Sequence, residues 1–232
     1  MDKTQKKGIS PLFLVLTSFF VTCLLISNII AGKLIQVFGI VLPAAVILFP
    51  ITYIFGDVLT EVYGFKRARL AIWIGFAANL LMVAVFLLTI AMPYPAFWKG
   101  QDAYSTVLGF TPRLVVASLL AYFAGEFANS AFLSKLKLLT RGRWLWTRTI
   151  GSTLIGEGVD TVIFITVAFA GLMPVATLVS MLLAQYIWKV SYEIIATPLT
   201  YLVVGWVKRK ENLDVFDNGV IYNPFSLEIE AK

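Results

Sequence analysis

Residues 56 to 64 read GDVLTEVYG, and they place two carboxylates, Asp57 and Glu61, four residues apart at the end of a long apolar run. Side chains four apart share one face of a helix, so both acids point the same way. An ionisable group at the centre of a lipid-embedded helix costs about 2.5–3.5 kcal/mol. Two such groups on one face must therefore look into a protein interior or a wet cavity. The chain has no histidine to share their protons.

The composition says what surrounds them. Of 232 residues, 59% are hydrophobic and 14% charged, and the mean hydropathy is +0.85. Soluble globular chains carry roughly a quarter charged residues, so this chain cannot cover a water-facing surface and reads as an integral membrane protein. The formal charge of +6 does not indicate a nucleic-acid partner, because the lysines and arginines form short clusters between apolar stretches. That is the pattern of membrane topology. The single cysteine, Cys23, lies inside the first apolar stretch and reads as a packing residue. With no histidine and one cysteine, zinc and haem lack their usual ligands, so neither metal nor cofactor is expected.

Six apolar segments are expected to span the bilayer: 12 to 31, 37 to 56, 70 to 92, 113 to 133, 148 to 172 and 176 to 206. Each is near or above the roughly 20 residues that cross about 30 Å of hydrocarbon. The basic start MDKTQKKGISP has no small-residue cleavage site after the first segment, which is expected to remain as a helix. The sixth segment is long enough to be tilted, broken near Pro198, or projecting beyond the membrane. Lys3, Lys6 and Lys7 precede the first span, Lys66, Arg67 and Arg69 follow the second, a basic group from Lys135 to Arg148 follows the fourth, and Lys208, Arg209 and Lys210 follow the sixth. This asymmetry predicts that both termini are cytoplasmic. Residues 1 to 210 form one transmembrane domain, 92 to 112 an aromatic external loop, and 211 to 232 a peripheral or disordered cytoplasmic tail.

Six of the thirteen acidic residues fall in or beside these spans: Asp57, Glu61, Glu126, Glu157, Asp160 and Glu193. Counting along the helices from Arg148 puts Glu157 about 14 Å in, with Asp160 higher, both near the midplane. Glu126 lies on the cytoplasmic side of centre and Asp57 and Glu61 lower still, where Lys66, Arg67 or Arg69 are available as plain ion-pair partners. In the sixth span Gln185, Lys189 and Glu193 recur every four residues on one face, and Lys189 and Glu193 are spaced to neutralise each other. Asn28 sits near the outer end of the first. A buried excess of carboxylates must be protonated, paired, or matched by a cationic or donor-rich ligand.

No catalytic signature accompanies these groups. Gly32-Lys33 lacks a phosphate loop, and there is no G-x-S-x-G, no H-E-x-x-H and no cysteine–histidine pair. The chain is not expected to be an enzyme. A transporter needs only selective groups and two accessible states.

The residues ISNIIAGK at 26 to 33, GDVLTEVYG followed by Arg69 and Trp73, GEFANS with Lys135, and WLWTRTIGSTLIGEGVDTVIF at 144 to 164 resemble the queuosine precursor transporter family. The resemblance runs over nearly the whole chain. It implies an all-helical membrane fold similar to the substrate-binding subunits of energy-coupling-factor vitamin transporters, working without an ATPase. It implies import of 7-deazaguanine bases, such as the 7-cyano and 7-aminomethyl precursors or queuine. One carboxylate accepts the adjacent N–H donors of such a base, and its ring stacks on an aromatic side chain. The substrate-binding candidates are Glu157, Asp160, Glu126, Asn28, Lys189, Glu193, Tyr122, Trp73 and Gln185. Asp57, Glu61, Arg69 and Arg148 are candidates for gating or structural ion pairs. The partners expected are this small-molecule substrate and the lipid bilayer, with no nucleic acid; a homodimer stays open. The alternative is a binding subunit that needs a separate ATPase module. Such subunits dock through small residues on their first helix, whereas positions 12 to 28 here are bulky.

Overall fold

Ser10 and Pro11 start the first helix as their chemistry requires. The Ser10 hydroxyl accepts the Phe13 N–H at 3.1 Å, and Pro11 occupies a first-turn position whose N–H has no helical partner. The helix α1 runs Pro11–Ile30 and buries Phe13, Leu16, Thr17, Phe20, Leu24 and Ser27, a stripe at three- and four-residue spacing. The computed structural model describes residues 9–30, 33–37, 40–109, 112–172 and 174–225. Lys3, Lys6 and Lys7, on which part of the topology expectation rests, lie outside the described residues.

The second expected span needs correction. Residues Leu34–Val37 (β1) and Ile40–Pro43 (β2) form an antiparallel hairpin with Val37 opposite Ile40. A short 3-10 turn, Ala44–Ile47, leads into α2, Phe49–Tyr63. The β-branched alternation of Ile35, Val37 and Val41 favours a strand, and Pro43 ends it. The helix of this region is thus shorter and lies further along the chain than 37 to 56, so Asp57 and Glu61 sit within it rather than at its exit. Five helices among the described residues are long and apolar enough to cross a membrane: Pro11–Ile30, Phe65–Ala91, Val116–Leu139, Leu145–Phe169 and Val175–Glu211. At 15 residues α2 is not one of them.

Gly64 makes the corner between α2 and α3, Phe65–Ala91. Its φ of +81° is one that glycine adopts without strain. Lys66, Arg67 and Arg69 thus follow α2, as expected, and lie in the opening turns of α3. The aromatic loop contains a short helix, α4, Gln101–Leu108. Helices α5, Pro112–Leu139, and α6, Leu145–Phe169, form the most extensive helix pair. They meet at Gly125 and Gly156: a methyl on Gly125 would stand 2.7 Å from Asp160 Cβ, and one on Gly156 would stand 2.6 Å from Asn129 Cβ. Small residues at a helix crossing let backbones approach closely where lipid supplies no hydrophobic drive.

The last helix, α7, runs Val175–Glu211 without interruption through Pro198. Thr197 donates to Glu193 O at 2.8 Å and Thr200 to Ala196 O at 3.3 Å, serving carbonyls around the proline as hydroxyls do in membrane helices. Its 37 residues extend about 55 Å, longer than a bilayer core, without the break at Pro198.

The tail is expected to be peripheral or disordered, and its described part is ordered against the bundle. Residues 213–225 fold back on the bundle. Val215 N–H donates to Val62 O at 3.2 Å, Arg69 to Asn223 O at 2.9 Å, and Trp73 to Pro224 O at 2.8 Å. The buried Asp217 accepts the Phe65 N–H at 2.8 Å and the Ser134 hydroxyl at 2.5 Å, capping the start of α3 from 152 residues away. Gly64 leaves room for it, since a methyl there would stand 2.7 Å from Val215 and 2.8 Å from Asp217.

Candidate functional site

Four helices contribute the buried charges, and local spacing decides which of them meet. On α2, Tyr53 and Asp57 are one turn apart; on α5, Glu126 and Asn129; on α6, Glu157 and Asp160; on α7, Lys189 and Glu193. Spacings of three and four put each pair on one helical face. The packing of α5 on α6, of α6 on α7 and of α2 on both α5 and α7 turns these faces inward.

Lys189 is the hub. Its Nζ donates to Asp160 Oδ2 at 2.5 Å and stands 2.7 Å from Glu157 Oε2. The second contact is an ion pair, and the Tyr53 hydroxyl is the other donor within reach of the Glu157 carboxylate. Tyr53 faces the Glu157 carboxylate and lies within electrostatic reach of Asp160 and Glu126. Asn129 Nδ2 donates to Asp57 Oδ1 at 2.9 Å, and Asp57 in turn neighbours Glu193 and Glu126. Asp57, Glu126, Glu157 and Glu193 are buried. Asp57 Oδ2, Glu126 Oε2, Asn129 Oδ1 and Glu193 Oε1 have no hydrogen-bond donor among the described residues. A buried acceptor without a donor is costly, and a protein tolerates a cluster of them where a ligand or a proton supplies the missing hydrogen. The cluster is suited to receiving N–H or O–H donors or positive charge.

Lys189 and Glu193 thus do not simply neutralise each other, as their spacing allowed; Lys189 reaches across to α6. Glu61 belongs elsewhere. Arg148 Nη2 donates to Glu61 Oε1 at 2.7 Å and Arg148 Nε to Glu61 Oε2 at 3.1 Å. Lys208 Nζ reaches Glu61 Oε1 at 2.7 Å and Lys137 Nζ lies 3.6 Å from it. Lys137 and Lys208 also bond Asp214 of the tail. This second cluster, one turn along α2 from Asp57, ties together the same four helices. The ready partners Lys66, Arg67 and Arg69 do not fill that role: Arg69 turns to the tail carbonyl of Asn223.

The remaining candidates separate into two further places. Asn28 Nδ2 donates to Asn79 Oδ1 at 2.6 Å, and Ser118 reaches Asn28 Oδ1 at 3.5 Å, a polar link between α1, α3 and α5. Trp73 packs edge-on against Phe76, Phe123 and Phe127 and tilts against Phe225, so it anchors the tail. Tyr122 donates to Ile72 O at 3.2 Å and stands one turn from Glu126. Gln185 is half-buried one turn before Lys189. Tyr53 and Asn129 were missed by sequence reasoning. Their spacing from Asp57 and Glu126 was the available signal, but a tyrosine and an asparagine carry no formal charge to make them conspicuous in an apolar run.

Inward-turned charges on a bundle of membrane-length helices define a multi-pass protein of the bacterial cell membrane, of the transporter class. A family model described as "Putative vitamin uptake transporter" matches residues 43–203, and the chain belongs to that family. It is 29% identical over 186 residues to the "Probable queuosine precursor transporter" of Bacillus subtilis (strain 168), covering 80% of this chain and 81% of the relative. It is 27% identical over 121 residues to the "Queuosine precursor transporter" of Escherichia coli (strain K12), 52% of each chain. No solved structure matches. The family resemblance drawn from the polar stretches of the sequence therefore holds.

Proposed function

We propose that the protein imports queuosine precursors, 7-deazaguanine bases such as the 7-cyano and 7-aminomethyl compounds or queuine, as a secondary transporter without an ATPase. The observation that supports this reading is three buried or half-buried carboxyl groups, Glu126, Glu157 and Asp160, around a single ammonium, Lys189, with Glu126 Oε2 lacking any donor among the described residues. A deazaguanine offers a ring N–H and an exocyclic amine side by side, which one carboxylate accepts together. Glu157 and Asp160 are the central recognition groups, Glu126, Tyr53 and Gln185 line their surroundings, and Lys189 sets their charge.

In this reading α2 completes a six-span bundle with both termini cytoplasmic. The Glu61–Arg148 cluster then lies on the cytoplasmic side of the substrate and acts as the inner gate, because it joins the four helices that hold the site. The alternative, a binding subunit driven by a separate ATPase, needs small residues along α1 for docking. The exposed positions of α1 mix the bulky Leu14, Val15, Phe19 and Ile26 with the smaller Ser18 and Thr22; the bulk of the former favours independent operation.

Purified protein in lipid vesicles, free of any ATPase, is expected to take up labelled 7-cyano-7-deazaguanine, with queuine competing and adenine not. Uptake that appears only when an ATP-driven module is added supports the alternative, and no uptake in either case removes the transport reading.

A further inference from the structure

Charge in the site is unbalanced, and the imbalance has a location. Five carboxyl groups, Asp57, Glu126, Glu157, Asp160 and Glu193, surround one ammonium, Lys189, which is within ion-pair distance of Glu157 and Asp160. No basic side chain among the described residues lies within that distance of Asp57, Glu126 or Glu193. A neutral base brings N–H donors but no charge. It satisfies the lone pairs of one carboxylate and leaves the others uncompensated in a low-dielectric interior, a state that proteins avoid by protonation.

Asn129 shows where the missing hydrogen belongs. Its amide nitrogen is committed to Asp57 Oδ1, while its own Oδ1 has no donor among the described residues, and the side chain is 97% buried, as its 3% exposure states. Asp57 Oδ2 and Glu193 Oε1 lack donors in the same way. The three residues come from α5, α2 and α7; Asn129 bonds Asp57 directly, and Glu193 lies within electrostatic reach of Asp57. A proton on either carboxyl converts one acceptor into an O–H donor and removes one negative charge at once. The acidic side chains among the described residues do not gather into a group of three or more at metal-ligand spacing; a proton needs a single oxygen, whereas a hard cation needs a shell of them.

We propose that Asp57, with Asn129 bonded to it and Glu193 on the facing helix, forms the proton-coupling site of this transporter, where one proton is taken up by a carboxyl group and moves inward with the base. The inference rests on the transport reading above and names its energy source. The proton arrives from the outer medium, binds a carboxylate oxygen and leaves to the inner medium; no bond of the base changes. The charged groups within electrostatic reach of Asp57 and Glu193 are Glu126 from α5, Glu157 from α6 and Glu61 from α2 itself, and beyond them Tyr53, Asp160 and Lys189 gather around Glu157. From α1, packed on α2, the buried polar groups are Thr17 and Ser27, which do not titrate, with Cys23 half-buried; from α3, Arg69 is turned to the tail. Asp57 lies one turn from the Glu61 cluster, so its protonation state is sensed next to the residues that close the inner end.

The test uses the full-length protein in vesicles with labelled 7-cyano-7-deazaguanine, a neutral base on which the gradient exerts no direct force. With the outside acidic and the inside neutral, uptake is expected to rise severalfold over the gradient-free rate and to fall back when a protonophore is added. A sodium gradient at equal pH should leave the rate unchanged. In Asp57→Asn the ratio of gradient-driven to gradient-free uptake should fall to near one, whatever the absolute rate. Should that variant not fold, base binding by the wild-type protein in weak buffer should still shift the reading of a pH dye, and no shift overturns the inference. Stimulation by sodium instead of protons, or base exchange insensitive to both gradients, overturns the coupling site and leaves transport standing. The absence of any base exchange removes the transport reading itself.

Discussion

Lys189 Nζ stands 2.7 Å from Glu157 Oε2, so one ammonium on α7 holds a buried carboxylate on α6. Asp160 shares the same ammonium at 2.5 Å. Removing one member of a buried charge group leaves the others uncompensated, at a cost of about 3–5 kcal/mol. Lys189→Met is therefore expected to lower the melting temperature of the purified protein sharply. Adding Asp160→Asn should restore part of the loss, because one fewer charge remains unpaired. A Lys189→Met protein as stable as the wild type would mean that the ion group does not form.

Arg148 binds Glu61 through two nitrogens, a fork that lysine cannot reproduce. Arg148→Lys should cost about 1.5–3 kcal/mol, the range for a hydrogen bond to a charged group. Denaturation in detergent micelles checks this. If the exchange is neutral, Lys137 and Lys208 suffice and the fork contributes nothing to holding the inner end.

The crossing of α5 and α6 leaves no space at Gly156, where an added methyl would stand 2.6 Å from Asn129 Cβ and 3.0 Å from Gly125 O. Gly156→Ala is expected to destabilise by about 1–3 kcal/mol through overpacking. Gly205 on α7 has nothing within 4 Å of an added methyl, and Gly205→Ala should be neutral or stabilising by about 0.5–1 kcal/mol from helix propensity. Parallel thermal unfolding of the two variants separates close packing from propensity.

Asp214 makes the docking of the tail sensitive to acid. Burial raises its pKa, but hydrogen bonds and attraction from Lys137 and Lys208 outweigh burial and hold it below the usual aspartate value. A lowered folded-state value means that its contribution is fully present above the ordinary carboxylate range and is lost as pH falls through the depressed value. Limited proteolysis of residues 213–225 is expected to be slow at neutral pH and faster in strong acid. Asp214→Asn should be cut faster at neutral pH and flatten that dependence. Equal rates for the two proteins at neutral pH would contradict the role of the contact.

What the sequence revealed follows from how rare polar residues are in such a chain. Glu126, Glu157, Asp160 and Lys189 stand out because each costs free energy in lipid, and that cost forces them inward whatever the details of packing. The boundary of α2 was not legible, because an apolar run of β-branched residues satisfies strand and helix alike until length and proline placement decide between them. The docking of the tail was equally hidden: Asp217 is an ordinary acid in a polar segment, and its cap on Phe65 spans 152 residues. The partner of Glu61 was misplaced for a related reason. Lys66, Arg67 and Arg69 are near in sequence, while Arg148, Lys137 and Lys208 become near only when α5, α6 and α7 close around α2.

The central claim is that the Glu157 carboxylate accepts the donor edge of a deazaguanine. Thermal stabilisation of the purified protein by queuine, 7-cyano-7-deazaguanine, 7-aminomethyl-7-deazaguanine and guanine, compared between wild type and Glu157→Gln, tests it directly. The account predicts a saturable rise in melting temperature with at least one deazaguanine for the wild type and a loss of that rise in the variant. No rise with any base, or a rise of equal size in Glu157→Gln, would contradict it.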